Sequence, residues 1–239
     1  MGTSIFLVDG DKGGVGKSFV ARLLADYMIS VKRYPEVHII DADARIGDVV
    51  AKGSAYSDEV IQRKDGSVTH VHAQGLVATQ EDHAIDLAER IADARTCGVV
   101  NLAAGFAAIL GEHSRAMVGG VDTVPVWVMG ADEASTRCFE AALRDVYTNV
   151  QRGVIVLNLH SAERKNFVHF DAFLKKNPDL LSNWGIVELT VMSPMMKARL
   201  GTMPWHRVTT EQGSLTPVYV ERFRNSFARA FDDALAGAV

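Results

Sequence analysis

A doubly wound α/β fold, with a mostly parallel sheet between layers of helices, is what this chain predicts, and three observations predict it. Short runs that are apolar at nearly every position recur along the 239 residues, as strands buried on both faces require. Stretches with apolar residues at helical spacing separate those runs. A glycine-rich loop at residues 10–18 follows the first run directly and opens the first helical pattern. With 48% hydrophobic residues the chain can bury a sizeable core, and it reads as one domain over residues 1–239.

Taken in order, Ile5, Phe6, Leu7 and Val8 form the first strand. A helix at 18–32 follows, with Val20, Leu23, Leu24, Tyr27, Met28 and Val31 on one side. Residues 37–40 make the second strand. The stretch 53–75 is the least regular, although Val68, His70 and His72 alternate with Thr69 and Val71 as a short edge strand would. A helix at 81–94 precedes a strand at 98–100. Strands at 124–129, 153–157 and 186–192 then alternate with helices at 133–150, 164–176 and about 217–236. In such a sheet, ligands bind beyond the carboxyl ends of the strands.

The loop reads Lys12-Gly13-Gly14-Val15-Gly16-Lys17-Ser18. Glycines let backbone N–H groups turn toward phosphate oxygens, and the following helix adds its positive N-terminal end. Lys17 then meets the β- and γ-phosphates and the Ser18 hydroxyl ligates Mg²⁺. The nucleotide contacts fall to Asp11, Gly13, Gly14, Val15, Gly16, Lys17, Ser18 and Phe19. Asp11 stands where the ordinary phosphate loop has its first glycine.

Three further strand ends carry polar residues. Asp41 and Asp43 sit two apart after the second strand, so in extended backbone both face the same way; carboxylates there can hold Mg²⁺ through water or orient the attacking water. Asn101 closes the 98–100 strand where phosphate-loop ATPases place a metal-steering aspartate. A neutral amide can still bond a metal-bound water but adds no charge, which predicts weak Mg²⁺ affinity and slow hydrolysis. Asn158 closes the 153–157 strand; its amide suits either the edge of adenine or a turn.

With two lysines in the loop and an Asp-x-Asp segment, the chain resembles the ParA/MinD superfamily of deviant Walker A ATPases, which partition plasmids and position cellular cargo. The resemblance implies bound ATP and Mg²⁺ and an ATP-dependent homodimer in which Lys12 reaches the partner's nucleotide. It implies that Asp43 belongs to the hydrolytic water, that Asn158 contacts the purine, and that the loop 192–195 folds over the base. Gly105 is the expected flexible point of a γ-phosphate switch. Ala44 and Arg45 replace the proline and glutamine common in partition ATPases; the missing proline and the segment from Asn101 to Phe106 resemble the divergent ParA-like proteins of plasmid stability and conjugation systems.

A net charge of −4 excludes a polyanion binder as a whole, so any non-specific DNA contact needs a local basic patch. Lys197, Arg199, Arg207, Arg222, Arg224 and Arg229 are the candidates. Cys97 and Cys138 lack metal-site spacing, no secretory leader is read, and no apolar run approaches the ~20 residues of a membrane span, so a cytoplasmic protein is expected. The terminal stretch with Phe223, Phe227 and Phe231 on one face reads as a helix packed on the sheet, with membrane insertion or DNA contact as the other readings. His70 and His72 could bind metal, but no third ligand stands nearby in sequence and a solvated edge is preferred. A partner protein that stimulates turnover fits the resemblance. A nucleotide-gated adaptor with little hydrolysis and a small-molecule kinase or ligase remain the rival functions.

Overall fold

The computed structural model describes residues 5–11, 13–43, 49–50, 56–76, 86–87, 89, 97–104, 123–148, 150–201, 203–208 and 215–237. These residues form eight strands: β1 (Ile5–Asp9), β2 (Glu36–Asp41), β3 (Glu59–Gln62), β4 (Val68–Gly75), β5 (Cys97–Asn101), β6 (Thr123–Met129), β7 (Gly153–Asn158) and β8 (Trp184–Leu189). They join one sheet in the order β3-β4-β2-β5-β1-β6-β7-β8. Every neighbouring pair is parallel except β3 and β4. β1 is central, with Phe6 opposite Val99 on one side and Val124 on the other, and all five of its residues are buried. The strand order reverses around it, which puts the loop after β1 at the crevice where such sheets bind ligands.

The α-helices described in full are α1 (Lys17–Asp26), α2 (Glu133–Asp145), α3 (Val168–Lys176), α4 (Pro194–Leu200) and α5 (Thr216–Gly237). Alternate residues of each strand serve opposite faces. Phe6, Val8, Ile39, Val99, Val126 and Val156 pack with α1 and α5, whereas Trp127, Met129, Ile155 and Leu157 pack with α2 and α3. The aromatic stripe of α5 is core, as its packed reading expects: Phe231 meets the edges of Phe6 at 5.2 Å and Tyr27 at 5.4 Å between ring centroids. Each such pair adds about 0.5–1.5 kcal/mol to simple burial. The helix lies so close on β8 that a Cβ at Gly185 would stand 2.1 Å from the Ala234 carbonyl oxygen. No described helix is long and apolar enough to cross a membrane.

Several boundaries differ from the sequence expectation. The helix expected at 18–32 is α-helical only to Asp26 and continues as a π-helical turn, Tyr27–Lys32, closed by Arg33 at φ 55°. The one expected at 133–150 stops at Asp145; its start is fixed by the Asp132 carboxylate, which accepts from the Ser135 N–H. The last strand is Trp184–Leu189 and not 186–192. Of the loop expected at 192–195, Met192 and Ser193 are loop, while Pro194 and Met195 begin α4, with the Ser193 hydroxyl accepting from the Met196 N–H. Residues 53–75 were expected to hold an edge strand at most, but β3 and β4 form a hairpin there and β3 is the edge. Its turn rests on Gly66 at φ 82° and on the Asp65 carboxylate, which accepts from the Ser67 N–H at 3.0 Å. The helix expected at 81–94 falls outside the described residues except for 86, 87 and 89.

Candidate functional site

The loop after β1 is shaped by three glycines with different reasons. A Cβ at Gly10 would stand 2.9 Å from the Val128 carbonyl oxygen, because the loop passes directly over β6. Gly14 and Gly16 adopt φ of 86° and 104°, where a side chain is strained. At Gly16 a Cβ would also sit 2.2 Å from Asn158 Nδ2. Gly13 and Gly14 are exposed, Ser18 and Phe19 are half-buried, and Val15 is buried. Lys17, the first residue of α1, is 6% exposed. Burial lowers its ammonium pKa, while the carboxylates of Asp9, Asp43 and Asp11 act in the opposite direction. The structure thus brings Asp43 and Asp11 into electrostatic reach of Lys17.

Three struts hold this loop. Asp9 lies buried at the end of β1; its carboxylate accepts from the Gly10 N–H at 2.7 Å and the Tyr147 hydroxyl at 2.8 Å. Burial pushes its pKa up to about 6, against the lowering effect of those two donors and of Lys17. The same burial, with Asp9 beside it, pushes the Tyr147 phenol well above its ordinary range. Ser135, fully buried at the start of α2, accepts from the Gly130 N–H at 2.8 Å and donates to Asp11 at 2.9 Å. Asn158 donates to the Val15 carbonyl at 2.6 Å and accepts from the His160 N–H at 3.1 Å. Both ends of that amide are therefore used within the chain, so Asn158 braces the loop, a role the sequence reading did not include. Phe19 meets the ring of His160 at 5.1 Å and that of Trp205 at 5.9 Å, which anchors the first turn of α1 in an aromatic cluster.

On the other flank of β1, Asp41 is fully buried at the end of β2. One oxygen accepts from Asn101 Nδ2 at 2.9 Å and the Asp43 N–H at 3.2 Å; the other accepts from the N–H groups of Val49 at 3.3 Å and Val50 at 3.2 Å. Four donors on one carboxylate make Asp41 a clamp on the chain that follows β2. Asn101 is 2% exposed, and its Oδ1 has no hydrogen-bond partner among the described residues. Lys12 and Gly105 lie outside the described residues.

These residues suit a metal–nucleotide complex. A glycine-turned loop at the start of α1 suits an anion, and a groove of about 420 Å³ opens beside the loop between Gly13, Gly14, Gly130, Asp132 and Ser161. The orphaned Asn101 Oδ1 is a buried acceptor fit for a metal-bound water.

No family model matches the sequence, and no curated protein is similar to it in sequence. Solved structures do match over nearly the whole chain. McdA from Cyanothece is 12% identical with a TM-score of 0.57, covering 96% of this chain and 99% of its own. A plasmid partition protein from Borrelia burgdorferi bound to AMPPNP is 13% identical with a TM-score of 0.56, covering 98% and 99%. The pNOB8 ParA bound to nonspecific DNA is 9% identical with a TM-score of 0.53, covering 98% and 99%. The chain therefore has the P-loop NTPase fold of the ParA/MinD superfamily.

Proposed function

We propose that this chain is a MgATP-dependent, dimerising ATPase switch of the ParA/MinD type, built on a single P-loop domain, that partitions or positions a cargo such as plasmid DNA. The observation that carries the proposal is the buried Lys17 under a loop turned by Gly14 and Gly16, at the carboxyl end of the central strand. In this reading the loop N–H groups and Lys17 bind the β- and γ-phosphates, and Ser18 holds Mg²⁺ with help from Asn101 through water. Mg²⁺, when bound, supplies the positive charge that offsets charge on the phosphates. Asp43 orients the attacking water, and Asp41 keeps the segment behind it in place. Lys12 completes the partner's site. The neutral Asn101 makes turnover slow and favours the second reading, a nucleotide-gated adaptor with little hydrolysis. The names of the similar structures support the nucleotide and the DNA track, the latter helped by exposed Lys197, Arg199, Arg222 and Arg229. Arg224 and Arg207 are committed to Asp26 and Glu59.

Light scattering without nucleotide, with ADP, with ATP and with a non-hydrolysable analogue tests the switch. A dimer formed only with triphosphate, and lost in Lys12→Ala, is the expected result. A mass unchanged by triphosphate would refute it, and turnover that needs an added metabolite would identify a kinase or ligase instead. Salt-sensitive retention of the dimer on DNA would select the partition role.

A further inference from the structure

At the end of β2 away from Asp41, the sheet carries a second polar cluster. Glu36 and His38, two apart on β2, project to one face, opposite to the face of Asp41. Parallel pairing sets His38 beside His72 of β4. Glu36 Oε1 lies 3.0 Å from His38 Nε2 and 3.3 Å from His72 Nε2. The imidazoles are stacked with centroids 4.8 Å apart and planes 26° from parallel, so both Nε2 atoms converge on one carboxylate oxygen. All three donor atoms fall within 4.8 Å of one another. On its other flank His38 pairs with Gly98, which brings no side chain against it.

We propose that Glu36, His38 and His72 bind a divalent cation of the zinc class, with a fourth position open to water. Donors at tetrahedral angles around such an ion, at ~2.0–2.2 Å from it, stand about 3.3–3.6 Å apart. Two of the three edges of the cluster are already near that length. Two imidazoles and one carboxylate select zinc-class ions over Mg²⁺, which requires oxygen ligands in octahedral array. The side chains are 22% (His38), 44% (His72) and 41% (Glu36) exposed, enough for an ion to enter from solvent and for water to complete the shell. The ion would take the place of the Nε2 protons by which the imidazoles bond Glu36, and each neutral ring then carries its one N–H on Nδ1. Its structural effect is to tie β4, and with it the β3 hairpin, to β2. The site is independent of the nucleotide.

The full chain, stripped of metal with EDTA, is titrated with Zn²⁺ against a chromophoric chelator and with Co²⁺ followed by visible absorption. One equivalent of bound Zn²⁺, a tetrahedral Co²⁺ spectrum, and a thermal midpoint raised by Zn²⁺ but not by Mg²⁺ are expected. His38→Gln and His72→Gln, which keep a polar side chain beside Glu36, should each weaken Zn²⁺ binding by at least about 10-fold, the scale known even for outer partners of metal ligands. His70→Gln and Cys138→Ser should leave binding unchanged. Binding that survives the double variant His38→Gln/His72→Gln, or that is lost with His70 or Cys138, overturns the proposal. Should the variants misfold by circular dichroism, the native chain decides: no nitrogen-ligated tetrahedral Co²⁺ spectrum means no site.

Discussion

Asn101→Asp replaces an amide donor with a second carboxylate at 2.9 Å from an oxygen of Asp41, in a position only 2% exposed. Two unit charges at that separation repel by about 6 kcal/mol at an effective dielectric constant of 20. The pair can avoid this by keeping one proton, which costs about 1.4 kcal/mol for each pH unit above the ordinary carboxyl pKa. That route costs about 4 kcal/mol at pH 7 and about 1.5 kcal/mol at pH 5, and being cheaper it sets the penalty. The variant's shared carboxyl titrates higher folded than unfolded, so its stability is fully present at low pH and is lost as pH rises. Urea unfolding of native, Asn101→Asp and Asn101→Ala chains at pH 5 and 7, with and without Mg²⁺, measures this. Mg²⁺ should relieve the penalty in the aspartate variant alone, and ATP turnover or Mg²⁺ affinity should rise above native. An aspartate variant as stable as the native chain at pH 7 in EDTA, or a penalty that ignores pH, would refute the reasoning.

The buried Asp9, with its pKa pushed up to about 6, costs the fold about 3 kcal/mol as pH rises from ~4 through ~6, because the ordinary value is well below that. The difference in urea midpoint between the native chain and Asp9→Asn should follow that window, and a flat difference would contradict it. Gly16→Ala forces a side chain to φ 104° and into the Asn158 amide. Strain of about 1–3 kcal/mol and loss of the brace should lower the thermal midpoint and abolish nucleotide binding; an unchanged midpoint argues against the tight contact. Ser135→Ala leaves the Gly130 N–H and Asp11 without their shared hydroxyl and should cost about 1–3 kcal/mol in urea unfolding, with weaker nucleotide binding by titration.

Much of this architecture is legible because its signals are local. Strands such as Ile5–Asp9 and Thr123–Met129 are buried at every position, and a parallel sheet writes that directly as an apolar run. The loop is legible because its glycines, Lys17 and Ser18 are neighbours in the chain. β3 escaped because Glu59-Val60-Ile61-Gln62 is half polar and sits at an edge, where burial writes no pattern; Asp65-Gly66 was the available signal. The struts were illegible for a different reason. Asp9 and Tyr147 are 138 residues apart, Asp11 and Ser135 124, Val15 and Asn158 143, and no spacing rule links residues at such distances. The cluster of Glu36, His38 and His72 was missed likewise, since His72 finds its partners across a parallel strand pair and not beside it in sequence.

The polar network also changes what Asn101 means. Three carboxylates already act on the buried ammonium of Lys17. The triphosphate of the proposed function would add further negative charge, so Lys17 alone would not balance it; in that reading loop N–H groups, Mg²⁺ and a second lysine supply the rest. The chain limits its own anionic load at Asp41, which it satisfies with the Asn101 amide where a second aspartate would need a cation to be tolerated. The asparagine therefore has a structural task of its own, since its amide satisfies Asp41 where β2 and β5 end; if the proposed function holds, the same neutrality withholds a charge that would speed hydrolysis.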